Sequence, residues 1–345
     1  MIRTQAELRI VPPALHAMLS KHRAAYESAI RAMRWGEGPI YVVASPARLA
    51  AALTARHALE DLLGWRVEAH EASSPVAASL PALKAGCIVI LIAADLPDAS
   101  TLSNALAQRG AQVLTVAADE ALGGRTAGPV LRLSRPEGIS SNGLAEACLE
   151  HAGLGFMAVV AARLLKRPSR SIGRQEKEWA LLPRHFEWIA EQPGDAVRSF
   201  AARLDAATDV IFVGEGLHHA VALRAAGFVR RDPGARAVDL ARPGVDLLAR
   251  LSRDSAVVFI SGSHCSGKRP AAELAARVEQ RGIAALAVTD SNDRALIQRA
   301  RLSLLVPDAG SAVGSVLALA LAGWAACEIA IQGDLRRGVG GRTQR

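Results

Sequence analysis

Aromatic residues are scarce in this sequence: they make up 4% of it, with two tyrosines and six phenylalanines. A core of large rings is therefore excluded. Half of the residues are hydrophobic, so the interior has to be built from Ala, Leu and Val on closely approaching helices and strands. Cysteine is equally sparse. The four present (Cys87, Cys148, Cys265, Cys327) are far apart, with no CxxC and no histidine at ligand spacing, which excludes a disulfide framework or a structural zinc site. Only five lysines occur, and the arginines are scattered without a basic stripe between aromatics. The net charge of +8 thus points to anionic small molecules rather than to nucleic acid. Long hydrophobic runs are missing as well. No uninterrupted apolar stretch reaches the roughly eighteen residues of a membrane span, and the longest candidate, residues 316–331, carries Glu328. The N-terminal stretch mixes Arg3, Glu7 and Arg9 without the apolar centre of a signal peptide. A cytoplasmic chain with no membrane association is expected.

What is present is a regular alternation of short apolar runs and helical periodicity. A helical stretch at 13–33 precedes strands at 40–44, 66–70, 87–93, 113–116 and 130–133. Helices are expected at 47–63, 76–83, 100–109 and 144–165. The succession then recurs. After a linker with Pro168 and Gly173 come helices at 186–192 and 196–206, and strands at 210–213, 237–240, 257–260, 284–288 and 302–306. The helices of this half are expected at 220–231, 271–281 and 311–331. Continuous apolar strands separated by helices mark parallel sheets buried on both faces. Gly110 to Val113 corresponds to Gly282 to Ala285, and Val130 to Leu133 to Leu302 to Leu305, each at a separation of 172. An internal duplication follows. At 345 residues the chain also exceeds what one core usually supports. The expected fold is α/β: two tandem three-layer αβα sandwich domains, residues 1–166 with the N-terminal helix and residues 167–345, each around a five-stranded parallel sheet.

In such sheets ligands bind beyond the carboxyl ends of the strands. Residues 262–268 (Gly-Ser-His-Cys-Ser-Gly-Lys) have the GxxxxGK spacing of a phosphate-cradling loop between a strand and a helix. The next residue is Arg269 rather than the Ser or Thr that would hold magnesium, so the choice lies between a nucleotide loop, a loop for another anion and a capped turn. The equivalent loop of the first half carries Asp95 and Asp98, with Asp98 placed to cap the following helix through its side chain. His218 and His219 are adjacent, point to different helix faces and are expected to be exposed or capping. No motif calls for a metal or a cofactor.

Three motifs add a resemblance: Pro136-Glu137 after a strand, the turn Gly214-Glu215-Gly216, and Asp334-Leu335-Arg336-Arg337 near the end. With the duplicated architecture they make the chain resemble the tandem sugar-isomerase (SIS) domain family, which includes the isomerase half of glucosamine-6-phosphate synthase, aminosugar-phosphate deaminases and phosphosugar isomerases. The resemblance covers nearly the whole chain. It implies a sugar-phosphate ligand, a homodimer and, if the chain is active, aldose–ketose isomerisation or aminosugar-phosphate deamination. It implies site residues at the strand ends of the first half: Ser45, Ser100, Thr101, Ser140 and Ser141. In the second half, Ser263, Ser266 and Lys268 of the GxxxxGK turn are placed to cradle an anion with the backbone amides. Glu137 is the one matched catalytic carboxylate.

The chain departs from the family pattern where the chemistry resides. The family's phosphate turn, Ser-Gln-Ser-Gly-x-Thr, is Ala93 to Asp98 here. A carboxylate about 5 Å from a phosphate dianion costs about 7 kcal/mol at an effective dielectric near 20. The family's proton-abstracting glutamate is replaced by Arg231, its histidine has no counterpart between Asp239 and Leu247, and its lysine aligns with Gly341 or Arg342. Arginine stays protonated and serves neither as base nor as Schiff-base former. The resulting expectation is a sugar-phosphate-binding protein without isomerase turnover, in which Arg231 and Arg342 contribute charge. A metabolite sensor and a nucleotide-binding protein using Gly262–Lys268 are the alternatives. An anion is expected at the Ser263–Lys268 turn, which carries Ser263, Ser266, Lys268 and Arg269 with no acid nearby.

Overall fold

The computed structural model describes residues 3–36, 38–72, 86–96, 98–118, 125–133, 136–137, 139–140, 143–166, 172–192, 194–229, 234–241 and 247–340, with residues 3 and 330–340 described by backbone alone. Three short helices open the chain: α1 (Arg3–Leu8), α2 (Val11–Leu19) and α3 (Arg23–Arg31). Strands β1 (Ile40–Ala44), β2 (Val67–Glu71), β3 (Ile88–Ile92), β4 (Gln112–Ala117) and β5 (Val130–Arg132) form one sheet, in the order β2-β1-β3-β4-β5 with every pairing parallel. Helices α4 (Leu49–Leu63), α5 (Ala99–Gln108) and α6 (Leu144–Leu164) belong to this half. The central strands β1 and β3 are buried at every residue. Such burial is why IYVVA and IVILI are apolar throughout instead of alternating. The helix expected at 76–83 lies outside the described residues.

The second sheet contains β6 (Asp209–Gly214), β7 (Arg236–Asp239), β8 (Ser255–Ile260), β9 (Ala284–Asp290) and β10 (Leu302–Val306), again all parallel. Its order, β7-β6-β8-β9-β10, repeats that of the first sheet. The separation of 172 residues relates the starts of β4 and β9, and of β5 and β10. Its helices are α7 (Ile172–Glu191), α8 (Asp195–Asp205), α9 (Leu217–Phe228), α10 (Lys268–Gln280), the single turn α11 (Arg294–Ile297) and α12 (Ser311–Gly340).

Two elements differ from expectation. Gly173 is not in a linker but in α7, which runs unbroken through Pro183. An interior proline removes one helical hydrogen bond. Trp179, Leu182, Phe186 and Ile189, all buried, recur at helical spacing, and their burial outweighs that loss. The division of the chain also falls elsewhere than at 166/167. Residues 10–183 form one compact unit, and residues 1–9 with 184–345 form the other. The first helix joins the second unit because Gln5 Nε2 donates to the carbonyls of Ala190 (3.0 Å) and Gln192 (3.3 Å).

Helix α6 is buried from Leu144 to Ala162. Its small residues admit close neighbours: a Cβ on Gly155 would lie 2.7 Å from Trp179. By length and composition, Leu144–Leu164 and Ser311–Ile329 are both apolar enough to cross a membrane, although charged residues interrupt each of them: Glu146, Glu150 and Arg163 in the first and Glu328 in the second. Both are packed in protein, the first completely and the second for 83% of its apolar window. Glu328 is accommodated inside α12 because Trp324 Nε1 donates to its carboxylate at 3.0 Å.

Candidate functional site

The carboxyl edge of the first sheet is organised by a residue that sequence reading passed over. Beyond β1 the chain makes a 3₁₀ turn, Pro46–Arg48, which brings Arg48 under the strand ends, 2% exposed. Each of its three guanidinium nitrogens donates to a different carboxylate. Nε reaches Asp95 at 2.9 Å, Nη1 reaches Glu150 at 3.0 Å and Nη2 reaches Glu146 at 2.9 Å. Burial alone would lower the arginine's pKa, but Glu150, Glu146 and Asp95 together hold it above its ordinary value. Glu146 and Glu150 stand one turn apart on α6, so both carboxylates reach the same point. The signal was present in the sequence: two acids at i and i+4 in a helix otherwise almost wholly apolar.

This cluster occupies the place that the family resemblance assigned to a phosphate. Asp95 is not bare, as the sequence argument assumed; it is tied to Arg48. The cavity left beside Glu146, Glu150, Ala94 and Leu133 measures about 20 Å³, room for one water. Ser45 is buried, and its hydroxyl has no hydrogen-bond partner among the described residues. Ser100 and Thr101 sit in the first turn of α5, and Ser140 follows β5. Glu137 is exposed on the same edge. Ser141, Arg231 and Arg342 lie outside the described residues. Asp98 does precede α5 but does not cap it through its side chain. Its backbone is left-handed, φ +60°, whereas a capping side chain needs extended geometry to reach back to the helix amides.

In the second sheet the turn Gly214-Glu215-Gly216 follows β6. A Cβ on Gly214 would press on the backbone of His218 and His219, so glycine is required for α9 to start this close. Gly216 supplies a positive φ of 58°. His218 is not exposed or capping, as expected, but 3% exposed. Burial pushes its pKa down to about 4, and nearby Asp290 offsets part of that shift. His219 lies 3.8 Å from Asp239.

The Gly262–Lys268 turn lies between β8 and α10, where its spacing placed it, but acids occupy its inner face. The Ser263 amide donates to Asp290 at 2.6 Å, and the Ser266 hydroxyl donates to Glu215 at 2.9 Å. A Cβ on Gly267 would meet the Glu215 carboxylate. The expectation of a turn without nearby acid is therefore corrected: the carboxylates come from the turn after β6 and the end of β9, distant in sequence. Lys268 Nζ donates to the Ser263 carbonyl at 2.9 Å, and His264 Nε2 lies 3.0 Å from Asp308. Inside the turn the cavity beside His218 and Asp290 is about 10 Å³. Outside it, Ser263 and Lys268 border a groove of about 660 Å³ that Arg277, Arg294 and Arg299 also line. Among the described residues no cluster of His, Cys, Asp and Glu suits a metal ion.

Two parallel five-stranded sheets of one strand order, flanked by helices, make the chain an α/β protein. Among solved structures it is similar to the C-terminal domain of glucosamine-fructose-6-phosphate aminotransferase from Francisella tularensis, with a TM-score of 0.72 at 13% identity over 92% of this chain and 96% of that one. It is similar to glucosamine-6-phosphate deaminase from Thermotoga maritima (0.65, 14%, 92% and 94%) and to tagatose-6-phosphate ketose/aldose isomerase from Escherichia coli (0.68, 12%, 95% and 92%). The likeness is one of fold. The sequence matches no protein-family model and no curated protein.

Proposed function

We propose that the protein binds a sugar phosphate and does not isomerise it, with the phosphate at the outer side of the Ser263–Lys268 turn and the sugar in the adjoining groove. In this reading the chain is a pair of tandem three-layer αβα sandwich domains descended from one unit, cytoplasmic and homodimeric. The observation that carries it is the contrast in free space. The groove at Ser263 and Lys268 holds about 660 Å³, within the range of small-molecule sites. The cavities at the strand ends themselves are far smaller, about 20 Å³ beside the Arg48 cluster and about 10 Å³ beside His218. The solved structures of the same fold support the ligand class, since their names specify phosphorylated sugars. A nucleotide loop has less support, because Asp290 already takes the Ser263 amide that such a loop would offer to a phosphate.

The test is thermal unfolding with and without fructose 6-phosphate and glucosamine 6-phosphate. A ligand at about a hundred times its Kd stabilises the fold by about 2.7 kcal/mol, a rise that Lys268→Ala should remove and Ser100→Ala should leave. A rise lost in Ser100→Ala but kept in Lys268→Ala would place the ligand at the first sheet. No rise with either sugar would end this reading. Coupled assays should detect no interconversion of the two sugar phosphates. Turnover that survives purification and disappears in Glu137→Gln would make this an enzyme with Glu137 as its base.

A further inference from the structure

The groove that begins at Ser263 and Lys268 carries more positive charge than one phosphate can use. Its walls hold Lys268, Arg269, Arg277, Arg294 and Arg299 against two carboxylates, Glu273 and Asp293. Both carboxylates are engaged. Glu273 pairs with Arg269 at 2.9 Å. Asp293 is 4% exposed, accepts from the Leu296 amide that it caps, and receives the Thr289 hydroxyl at 3.2 Å. Among the described residues no carboxylate lies within ion-pair distance of Arg277, Arg294 or Arg299, and all three are exposed. Alanines 272, 276 and 295 line the groove between them and present no competing polar group.

The charge is also spread along the groove. Arg277 follows Lys268 by nine residues on α10, so their backbones lie about 14 Å apart along the helix axis at 1.5 Å per residue. One phosphate cannot meet both ends. Past Arg299 the groove opens into a recess of about 450 Å³. There Arg301 is paired with Glu279 at 3.0 Å, so the uncompensated charge stops at Arg299. The cationic stretch thus has the length of a small molecule rather than of an extended acidic chain.

Building on the sugar-phosphate reading, we propose that the ligand carries two phosphate groups: a bisphosphorylated small molecule, with one phosphate at Ser263 and Lys268 and the other between Arg277 and Arg299, beside Arg294. Isothermal calorimetry on the full chain compares fructose 6-phosphate with fructose 1,6-bisphosphate, a pair that differs by one phosphate. The bisphosphate should bind about tenfold tighter or more, as expected for added charge-assisted hydrogen bonds. Arg277→Gln combined with Arg299→Gln should erase that advantage, weakening the bisphosphate at least about tenfold more than fructose 6-phosphate. Lys268→Ala should weaken both sugars. Arg31→Gln combined with Arg66→Gln removes the same charge elsewhere and should change neither affinity. All of these arginines are exposed, so the variants should fold, and circular dichroism checks this. Equal affinity for the two sugars, or an equal loss in the two double variants, would overturn the second phosphate site while leaving the sugar-phosphate reading standing. Failure of both sugars to bind would overturn both.

Discussion

Arg48 shows how much one buried charge constrains its surroundings. It is held by three carboxylates, two of them buried with it, and removing it would leave those three facing one another. Arg48→Met is expected to cost about 3–5 kcal/mol at neutral pH, as when one partner of a buried ion pair is lost. Urea unfolding at pH 7 measures the loss. Adding Glu146→Gln and Glu150→Gln to Arg48→Met should recover part of the loss. His218 makes stability depend on pH. Its folded pKa of about 4 lies below the ordinary 6.5, so the unfolded chain binds the proton more readily. Its contribution is present in full above pH 6.5 and is lost as pH falls toward 4, by about 3 kcal/mol at most. The acid-dependent fall in the urea midpoint should be smaller in His218→Gln than in the parent protein. An identical slope in both would mean that His218 is not the group responsible.

At the scale of elements, close approach is secured by glycine. Helix α9 begins against β6 only because residue 214 has no side chain; a Cβ there would strike the backbone of His218 and His219. Backbone cannot yield as a flexible side chain does. Gly214→Ala is therefore expected to destabilise by about 3 kcal/mol or more, in the upper range of overpacking costs, and to disturb the placement of Glu215 and His218. Differential scanning calorimetry gives the first, and the His218 imidazole resonances in NMR give the second. A near-neutral Gly214→Ala would mean that α9 can shift away from the strand. Helices α6 and α12 bear on assembly. In α6 close packing takes place within the chain, since a Cβ on Gly155 would lie 2.7 Å from Trp179, and in α12 Trp324 is bonded to Glu328 of the same helix.

For the molecule as a whole, the homodimer rests on the family resemblance alone, since the interiors of α6 and α12 are already covered. Light scattering at micromolar concentration should give twice the chain mass of 36.2 kDa. A mass of one chain would remove the dimer without touching the binding proposal, because Ser263, Lys268, Arg277 and Arg299 all come from one compact unit.

The sequence by itself determined the strands and their surroundings. IYVVA and IVILI could be placed without knowing a single contact, because a strand covered on both faces must be apolar at every position, and burial acts on each residue where it stands. The glycine turn and the GxxxxGK turn were legible for a similar reason, since backbone geometry is local. The extent of α7 was not legible, because Pro183 and Gly173 argue locally against a helix that the burial of Trp179, Phe186 and Ile189 sustains from a distance. The site was the least legible part. Asp290 and Glu215 reach the Ser263–Lys268 turn from other strands, and Arg48, Asp95, Glu146 and Glu150 meet across about 100 residues of chain. Charge interacts through space at 3 Å regardless of separation in sequence. Which acids neutralise which cations was decided only when the strands were brought side by side.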